Sequence, residues 1–324
     1  MQTTQLGPFA GVSRLTLGGG GLGQLWGATD QDEAIATLKE AVDSGINLID
    51  TAPLYRNCEA VIAAGFGGGM PDGVKITSKC YLGTPGPGET EARIAASLEA
   101  SLAAMKLPRV DVYFLHTNIC ADDYDYARHG NRRDRFATAW SIYAGEVVPA
   151  MQRLVRQGRI GAWGITGVGV PATIRAAIAH DPAPQVIQAV TNLLDSPGGM
   201  RNFDDPPEPR TIIAAAKAAG IGVMGIRAVQ AGALTAEIDR ELKADHPETL
   251  DYLRAAPFRV LCARWGEDPA MIAHRYALAM EGVDTVILGV KNRAELRQCL
   301  DAERQGPLEA ERVAQIDGLG LREE

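Results

Sequence analysis

Four residues of this 324-residue chain can be read together as a proton-transfer set: Asp50, Tyr55, Lys79 and His116. A carbonyl that receives a hydride develops negative charge on its oxygen, so the reaction needs a proton from a nearby acid. A tyrosine hydroxyl, with an ordinary pKa near about 10, gives up its proton reluctantly at neutral pH. A lysine cation beside it favours the phenolate and lowers that pKa. An aspartate can hold the lysine charged and oriented, and a histidine can donate a hydrogen bond to the substrate oxygen. Each residue alone has an ordinary reading: a helix cap, a packed loop ring, a solvated cation, a satisfied core imidazole. Their joint placement is what points to chemistry.

That placement depends on the elements that carry them. Short apolar runs alternate with longer stretches of helical spacing. SRLTLGGGG, NLIDTA, VKITSK, VDVYFLH, GAWGIT, VIQAVTN, VMGIRA and TVILGV read as eight strands. DQDEAIATLKEAVDSG, GETEARIAASLEASLAAMKL, PATIRAAIAHD, RTIIAAAKAAG and NRAELRQCLDAE read as helices between them. Strands alternating with helices imply a parallel sheet, and eight is the number that closes a barrel with a filled interior. In such a barrel, active groups sit at the C-terminal ends of strands. Asp50, Lys79 and His116 end the second, third and fourth strands, and Tyr55 lies in the loop after the second. The rival is a doubly wound open sheet. Its phosphate-binding fingerprint has a loose match at Gly18, Gly20 and Gly23, but QLWGATDQDE delays the helix that should start at the last glycine. The expected fold is therefore a (β/α)8 TIM barrel over 1–324 as a single domain. An N-terminal β segment and extra loops and helices decorate its ends. A polar segment, TNICADDYDYARHGNRRDRF, interrupts the rhythm after strand four, and an insertion runs from Gln230 to Pro257.

Composition narrows the partners. The net charge of −8 opposes a nucleic-acid footprint, which needs a basic excess. The cysteines Cys58, Cys80, Cys120, Cys262 and Cys299 show no CxxC spacing, so neither a disulfide framework nor a metal site is expected. The first residues lack a charged and then apolar leader pattern, and no apolar run reaches membrane-spanning length. A cytoplasmic protein acting on a small molecule is the expectation.

The segments that carry these residues resemble the aldo-keto reductase family. GINLIDTAPLYRNCEAVIAAGF resembles its stretch with the Asp and Tyr, KITSK its Lys strand, and VDVYFLH the strand ending in its His. GRIGAWGIT, VIQAVTN and VILGVKNRAEL extend the likeness over nearly the whole chain. The resemblance implies an NAD(P)-dependent carbonyl reductase with Asp50, Tyr55, Lys79 and His116 as its catalytic tetrad, matched without substitution. It also implies cofactor contacts from Thr166, Gln188, Arg227, Gly289, Lys291, Arg293, Glu295 and Gln298, with Gln188 matching the residue that binds the nicotinamide carboxamide and Gln298 the one that contacts adenine. Here the chain departs from the pattern. Thr166 and Gly167 stand where the family has a Ser-Asn pair, and QAVTNLLD lacks the aromatic that stacks on nicotinamide. Arg227, Ala228 and Val229 replace Ser-Pro-Leu, and Arg227 could pair with a pyrophosphate oxygen or with an acid across the mouth. Lys291 and Arg293 favour NADP(H), because a 2′-phosphate needs cations. Glu295 keeps NAD(H) open, since a carboxylate can accept a ribose hydroxyl bond.

By position, Leu25, Trp26, Leu54, Tyr81 and Asn118 border the substrate pocket. Thr117, where several reductases carry Trp, suggests a roomier or more polar pocket. The 117–139 loop, with Arg128, His129, Arg132, Arg133 and Arg135 among several aspartates, reads as a lid or a solvated excursion. Three functions fit: an aldehyde or ketone reductase, an NAD-dependent sugar or alcohol dehydrogenase, and a cofactor-binding redox sensor with little turnover.

Overall fold

A computed structural model describes residues 1–127 and 132–322. The chain opens with an antiparallel hairpin, β1 (Thr3–Leu6) and β2 (Phe9–Ser13). Eight parallel strands then close a barrel. They are β3 (Leu15–Gly18), β4 (Leu48–Asp50), β5 (Lys75–Cys80), β6 (Val110–Leu115), β9 (Ile160–Thr166), β10 (Val186–Val190), β11 (Gly222–Ile226) and β12 (Thr285–Leu288). Each pairs with the next, and β12 closes on β3 through Val286 and Leu15. Between β6 and β9 lies a separate two-stranded parallel ribbon, β7 (Asn118–Cys120) with β8 (Ala137–Ala139). The expected eight strands are thus the barrel strands, and the expected N-terminal β segment is the hairpin.

Successive side chains of a strand point to opposite faces, so each strand delivers every second residue to the barrel interior. Leu48, Val112, Phe114, Val186 and Met224 fill the lower interior, where Leu6 and Val12 of the hairpin close it. The alternate residues, among them Ile49, Tyr113, Leu115, Ile165, Ile187 and Val223, pack outward in the larger core cluster. The same alternation carries Asp50, Thr77, Lys79, Thr166 and Gln188 inward above the apolar layer. His116, one residue past β6, continues that inward set.

The glycine run after β3 has a packing reason. A Cβ on Gly21 would overlap the carbonyl oxygen of Val290, and one on Gly23 that of Tyr55. The run lets a short helix, Gly19–Leu22, lie flat against the loops that hold the site. Side-chain caps start several outer helices. Asp30 accepts from the amides of Asp32 and Glu33, Asp268 from that of Met271, and Asn292 from that of Glu295.

The structure adds elements that periodicity did not reveal. The 230–257 insertion contains a helix, Pro247–Arg254, and a last helix spans Ala310–Asp317. The described part of the 117–139 excursion is folded: Tyr126 and Phe136 pack with Val168, Val190 and Phe203 in a second core. Among the described residues no helix is long and apolar enough to cross a membrane.

Candidate active site

One cleft of about 520 Å³ opens at the C-terminal mouth of the barrel. Asp50, Tyr55, His116, Thr166 and Gln188 line one end, and Lys291, Glu295 and Gln298 the other. Lys79 lies beneath, fully buried. Its Nζ donates to Asp50 Oδ2 at 2.7 Å and to the carbonyl of Thr51 at 2.9 Å. The same Nζ stands 4.5 Å from the centroid of the Tyr55 ring. Tyr55 is placed by the short 3₁₀ turn Pro53–Tyr55, whose last amide donates to Ala52 O at 2.9 Å. The His116 ring meets Tyr55 edge-on, with centroids 5.9 Å apart and planes at 86°. All four expected tetrad residues therefore converge at one end of the cleft.

Electrostatics assign each a protonation state. Burial alone would lower Lys79, but the charges and hydrogen bonds of Asp50 and Tyr55 together outweigh it and the ammonium is held above its ordinary pKa. Burial raises Tyr55; Lys79 opposes the rise and Asp50 adds to it. The expectation that Lys79 lowers the phenol is thus met as a contribution and overturned as a net effect. Tyr55 is a protonated phenol at neutral pH, the form that can donate. Burial, and then the Lys79 charge, lower His116 to about 3. It is a neutral imidazole, and its buried Nδ1 has no hydrogen-bond partner.

The departures at the cofactor positions have structural reasons. Gly167 donates its amide to Gln188 O at 2.6 Å, and a Cβ there would stand 2.8 Å from that oxygen. An asparagine at this position would not fit without a shift. Arg227 lines the cleft, yet its guanidinium already serves Glu248 at 2.5 Å and Gln230 at 2.7 Å. Glu248 is the acid expected as one alternative partner of Arg227. Lys291 Nζ pairs with Asp239 and lies 3.5 Å from Glu295 Oε1. Glu295 also accepts from the Lys291 amide at 2.8 Å, so it stabilises the start of the helix Arg293–Gln305. Arg293 binds Glu33, at 2.8 Å through Nη2, and does not line the cleft. Both cations expected to hold a 2′-phosphate are therefore committed to carboxylates. Gly289 and Gln298 line the cleft as expected.

The pocket residues divide. Trp26 lines the cleft. Leu25, Leu54 and Tyr81 stand exposed and are not among the lining residues, though the Tyr81 ring meets His116 edge-on at 6.1 Å. Asn118 is corrected: it is buried, donates to Val168 O at 3.0 Å and does not line the cleft. Thr117 likewise bonds Thr138 at 2.7 Å and pins the ribbon instead of widening the pocket. Arg128 and His129 lie outside the described residues. The described part of the 117–139 loop packs beside the barrel and does not line the cleft, with Arg133 donating to Ala121 O at 3.0 Å.

Several lining residues had no local signal, among them Met200, Asp239 and His274. Thr77 could have been found, since it shares an inward face with Lys79 two residues on. His274 is buried, lies 3.3 Å from Cys299 Sγ, and is lowered to about 4 by burial, with Asp268 opposing. The unfolded chain takes up this proton near pH 6.5, whereas the folded chain takes it up only near 4. Stability should therefore fall as pH drops through that window, by about 1.4 kcal/mol per pH unit from this residue. Chemical denaturation of His274→Gln between those limits should show the slope reduced by that amount; an unchanged slope would refute the assignment.

The cleft suits a nicotinamide dinucleotide. The Thr166 hydroxyl lines it while buried and without a partner, as is Nδ1 of His274 at the other end. Such orphaned groups call for a ligand's polar atoms. Gly18, Gly20 and Gly289 open the wall between the two ends.

Comparisons with known proteins agree. The model of the Aldo/keto reductase family matches residues 14–320. The chain is similar to an L-galactose dehydrogenase of Arabidopsis thaliana, 23% identical over 97% of this chain and 88% of that protein. It is similar to an uncharacterized oxidoreductase of Bacillus subtilis, 26% identical over 90% and 87% respectively. Among solved structures, a glycerol dehydrogenase from Gluconobacter oxydans superposes with a TM-score of 0.69 at 21% identity, covering 98% of this chain and 94% of that one. An aldo-keto reductase from Bacillus halodurans in its holo form gives 0.68 at 21%, covering 98% and 96%. These two likenesses bear on the fold.

Proposed function

We propose, from the premise that this chain belongs to the aldo/keto reductase family and is an NAD(P)-dependent oxidoreductase, that it reduces an aldehyde or ketone with Tyr55 as proton donor. The observation that carries this reading is the Asp50–Lys79 pair buried beneath the Tyr55 ring, with neutral His116 beside it. The bound nicotinamide would supply the hydride. His116 donates a hydrogen bond to the carbonyl oxygen and, being neutral, polarises it without protonating it. Tyr55 gives its proton to that oxygen as charge develops. Lys79 stabilises the phenolate left behind, and Asp50 keeps the ammonium in place. The same groups run in reverse for alcohol oxidation.

The substrate would carry an apolar substituent. Trp26, Met200, Ile226 and Val229 line the cleft with apolar surface, and the exposed Tyr81 ring stands edge-on to His116. Apolar walls around a few convergent polar groups are the usual make-up of a small-molecule pocket. A turnover screen of carbonyls and alcohols with both coenzymes tests the proposal. Apolar aldehydes should give lower KM than sugars, and turnover of sugars alone would exclude this pocket reading.

For the coenzyme, the geometry supports NAD(H) over the NADP(H) that Lys291 and Arg293 suggested. A 2′-phosphate would have to displace Asp239 from Lys291 and sit beside Glu295, against two like charges. NADH should bind more tightly than NADPH in fluorescence titration. In Asp239→Asn/Glu295→Gln the order should move toward NADPH by about tenfold or more, as one charge contact is worth over about 1 kcal/mol when partly buried. Tighter NADPH binding by the unaltered protein would overturn this choice.

A further inference from the structure

The Asp50 carboxylate is held by three side chains. Lys79 donates to Oδ2 at 2.7 Å, while Thr77 Oγ1 and Gln188 Nε2 both donate to Oδ1, at 2.7 and 2.6 Å. Gln188 is buried yet lines the cleft. A carboxylate paired with an ammonium carries no proton and can only accept. The Gln188 amide must therefore turn its NH₂ to Asp50, since half a turn would set two oxygens against each other. Its Oε1 is the atom left for the cleft. Gln188 is in register with Thr166 on the neighbouring strand, whose buried hydroxyl has no partner. The cleft thus offers an acceptor and, beside it, a free hydroxyl donor.

The geometry points to a second task for Asp50: acting through Gln188, it fixes which way round the carboxamide of the nicotinamide ring is held. This rests on the nicotinamide reading above. With the carboxamide on Gln188, as the family resemblance implies, its NH₂ would donate to Oε1 and its carbonyl would accept from Thr166. Asp50 is then a positioning residue for the coenzyme as well as the partner of Lys79, so one carboxylate sets both the proton donor and the ring. Replacing it by asparagine has a specific consequence. The Lys79 ammonium draws the Asn carbonyl, which leaves the Asn NH₂ facing Gln188. Gln188 must flip to accept from it, and then presents NH₂ to the cleft instead of oxygen.

Calorimetric titration with four probes tests this: NAD⁺, its 3-acetylpyridine analogue, its nicotinic acid analogue and ADP-ribose. The unaltered protein should bind NAD⁺ about 3- to 10-fold more tightly than the acetylpyridine analogue, which lacks the NH₂, as befits one hydrogen bond. The nicotinic acid analogue should bind worst, because its carboxylate faces Oε1. In D50N the order should reverse, with the nicotinic acid analogue gaining on NAD⁺. In Gln188→Leu the preference among the three should vanish. ADP-ribose, which has no ring, should bind all three proteins alike and so reports an intact site. An unchanged preference in D50N with normal ADP-ribose binding would overturn the inference. So would an unaltered protein that favours the nicotinic acid analogue, a result that requires no variant to fold. Failure of every probe, ADP-ribose included, would instead refute the dinucleotide reading itself.

Discussion

Tyr55→Phe should lower kcat/KM for a carbonyl substrate by about 10²- to 10⁴-fold, the usual contribution of a positioned acid, and leave NADH affinity unchanged. The substitution removes one atom. The ring that faces Lys79 remains, and Lys79 keeps its bonds to Asp50 and to the Thr51 carbonyl. No buried charge loses its partner, so neither the fold nor the coenzyme end of the cleft has reason to change. The wild-type pH profile carries the same signature. Because burial holds Tyr55 above its ordinary value, the donor stays protonated throughout the neutral range and activity should fall only on the alkaline side. His116 is lowered to about 3 and should contribute no acidic limb between pH 5 and 7. Steady-state rates with a simple aldehyde, beside a fluorescence titration of NADH, check both parts. Full activity in Tyr55→Phe would exclude this residue as the donor.

Lys79→Met should abolish measurable turnover and also cost stability, by about 3–5 kcal/mol. The ammonium is completely buried against a nearly buried carboxylate. Removing it leaves the buried Asp50 charge without its counter-ion, with Thr77 and Gln188 as its remaining side-chain partners. The stability loss belongs to the stranded charge, not to the missing attraction. The double variant Asp50→Leu/Lys79→Met should therefore regain most of the stability while staying inactive. Urea denaturation of wild type, the single variant and the double variant separates the two effects. A double variant no more stable than the single one would show that the pair holds the fold in some other way.

Much of this site was legible because it follows from strand alternation. Once NLID, KITSK and VDVYFLH are strands of one parallel barrel, the period of two brings Asp50, Lys79 and His116 to the same inward face. What remained hidden was the choice of partners. Arg293 looked available for a phosphate, but Glu33, 260 positions away in the chain, takes it. Lys291 is claimed by Asp239 from within an insertion that has no motif. Asn118 looked like a pocket amide until the ribbon formed by two three-residue strands turned it to Val168. Those strands are too short for any periodicity to register. Local patterns specify which face a side chain lies on, whereas pairing of long charged side chains depends on contacts far apart in the chain. The proton-transfer end was therefore readable from the sequence, and the coenzyme end was not.

The central claim is that a carbonyl carbon in this cleft takes a hydride directly from nicotinamide while Tyr55 protonates its oxygen. It is tested most directly with NADH deuterated at the transferring C4 position and an apolar aldehyde, with the product alcohol analysed by mass spectrometry and NMR. One deuterium on the carbinol carbon of every product molecule, formed by wild type and about 10²- to 10⁴-fold more slowly by Tyr55→Phe, is the predicted result. Tight NADH binding with no alcohol formed from any carbonyl, or alcohol without the label, would contradict it.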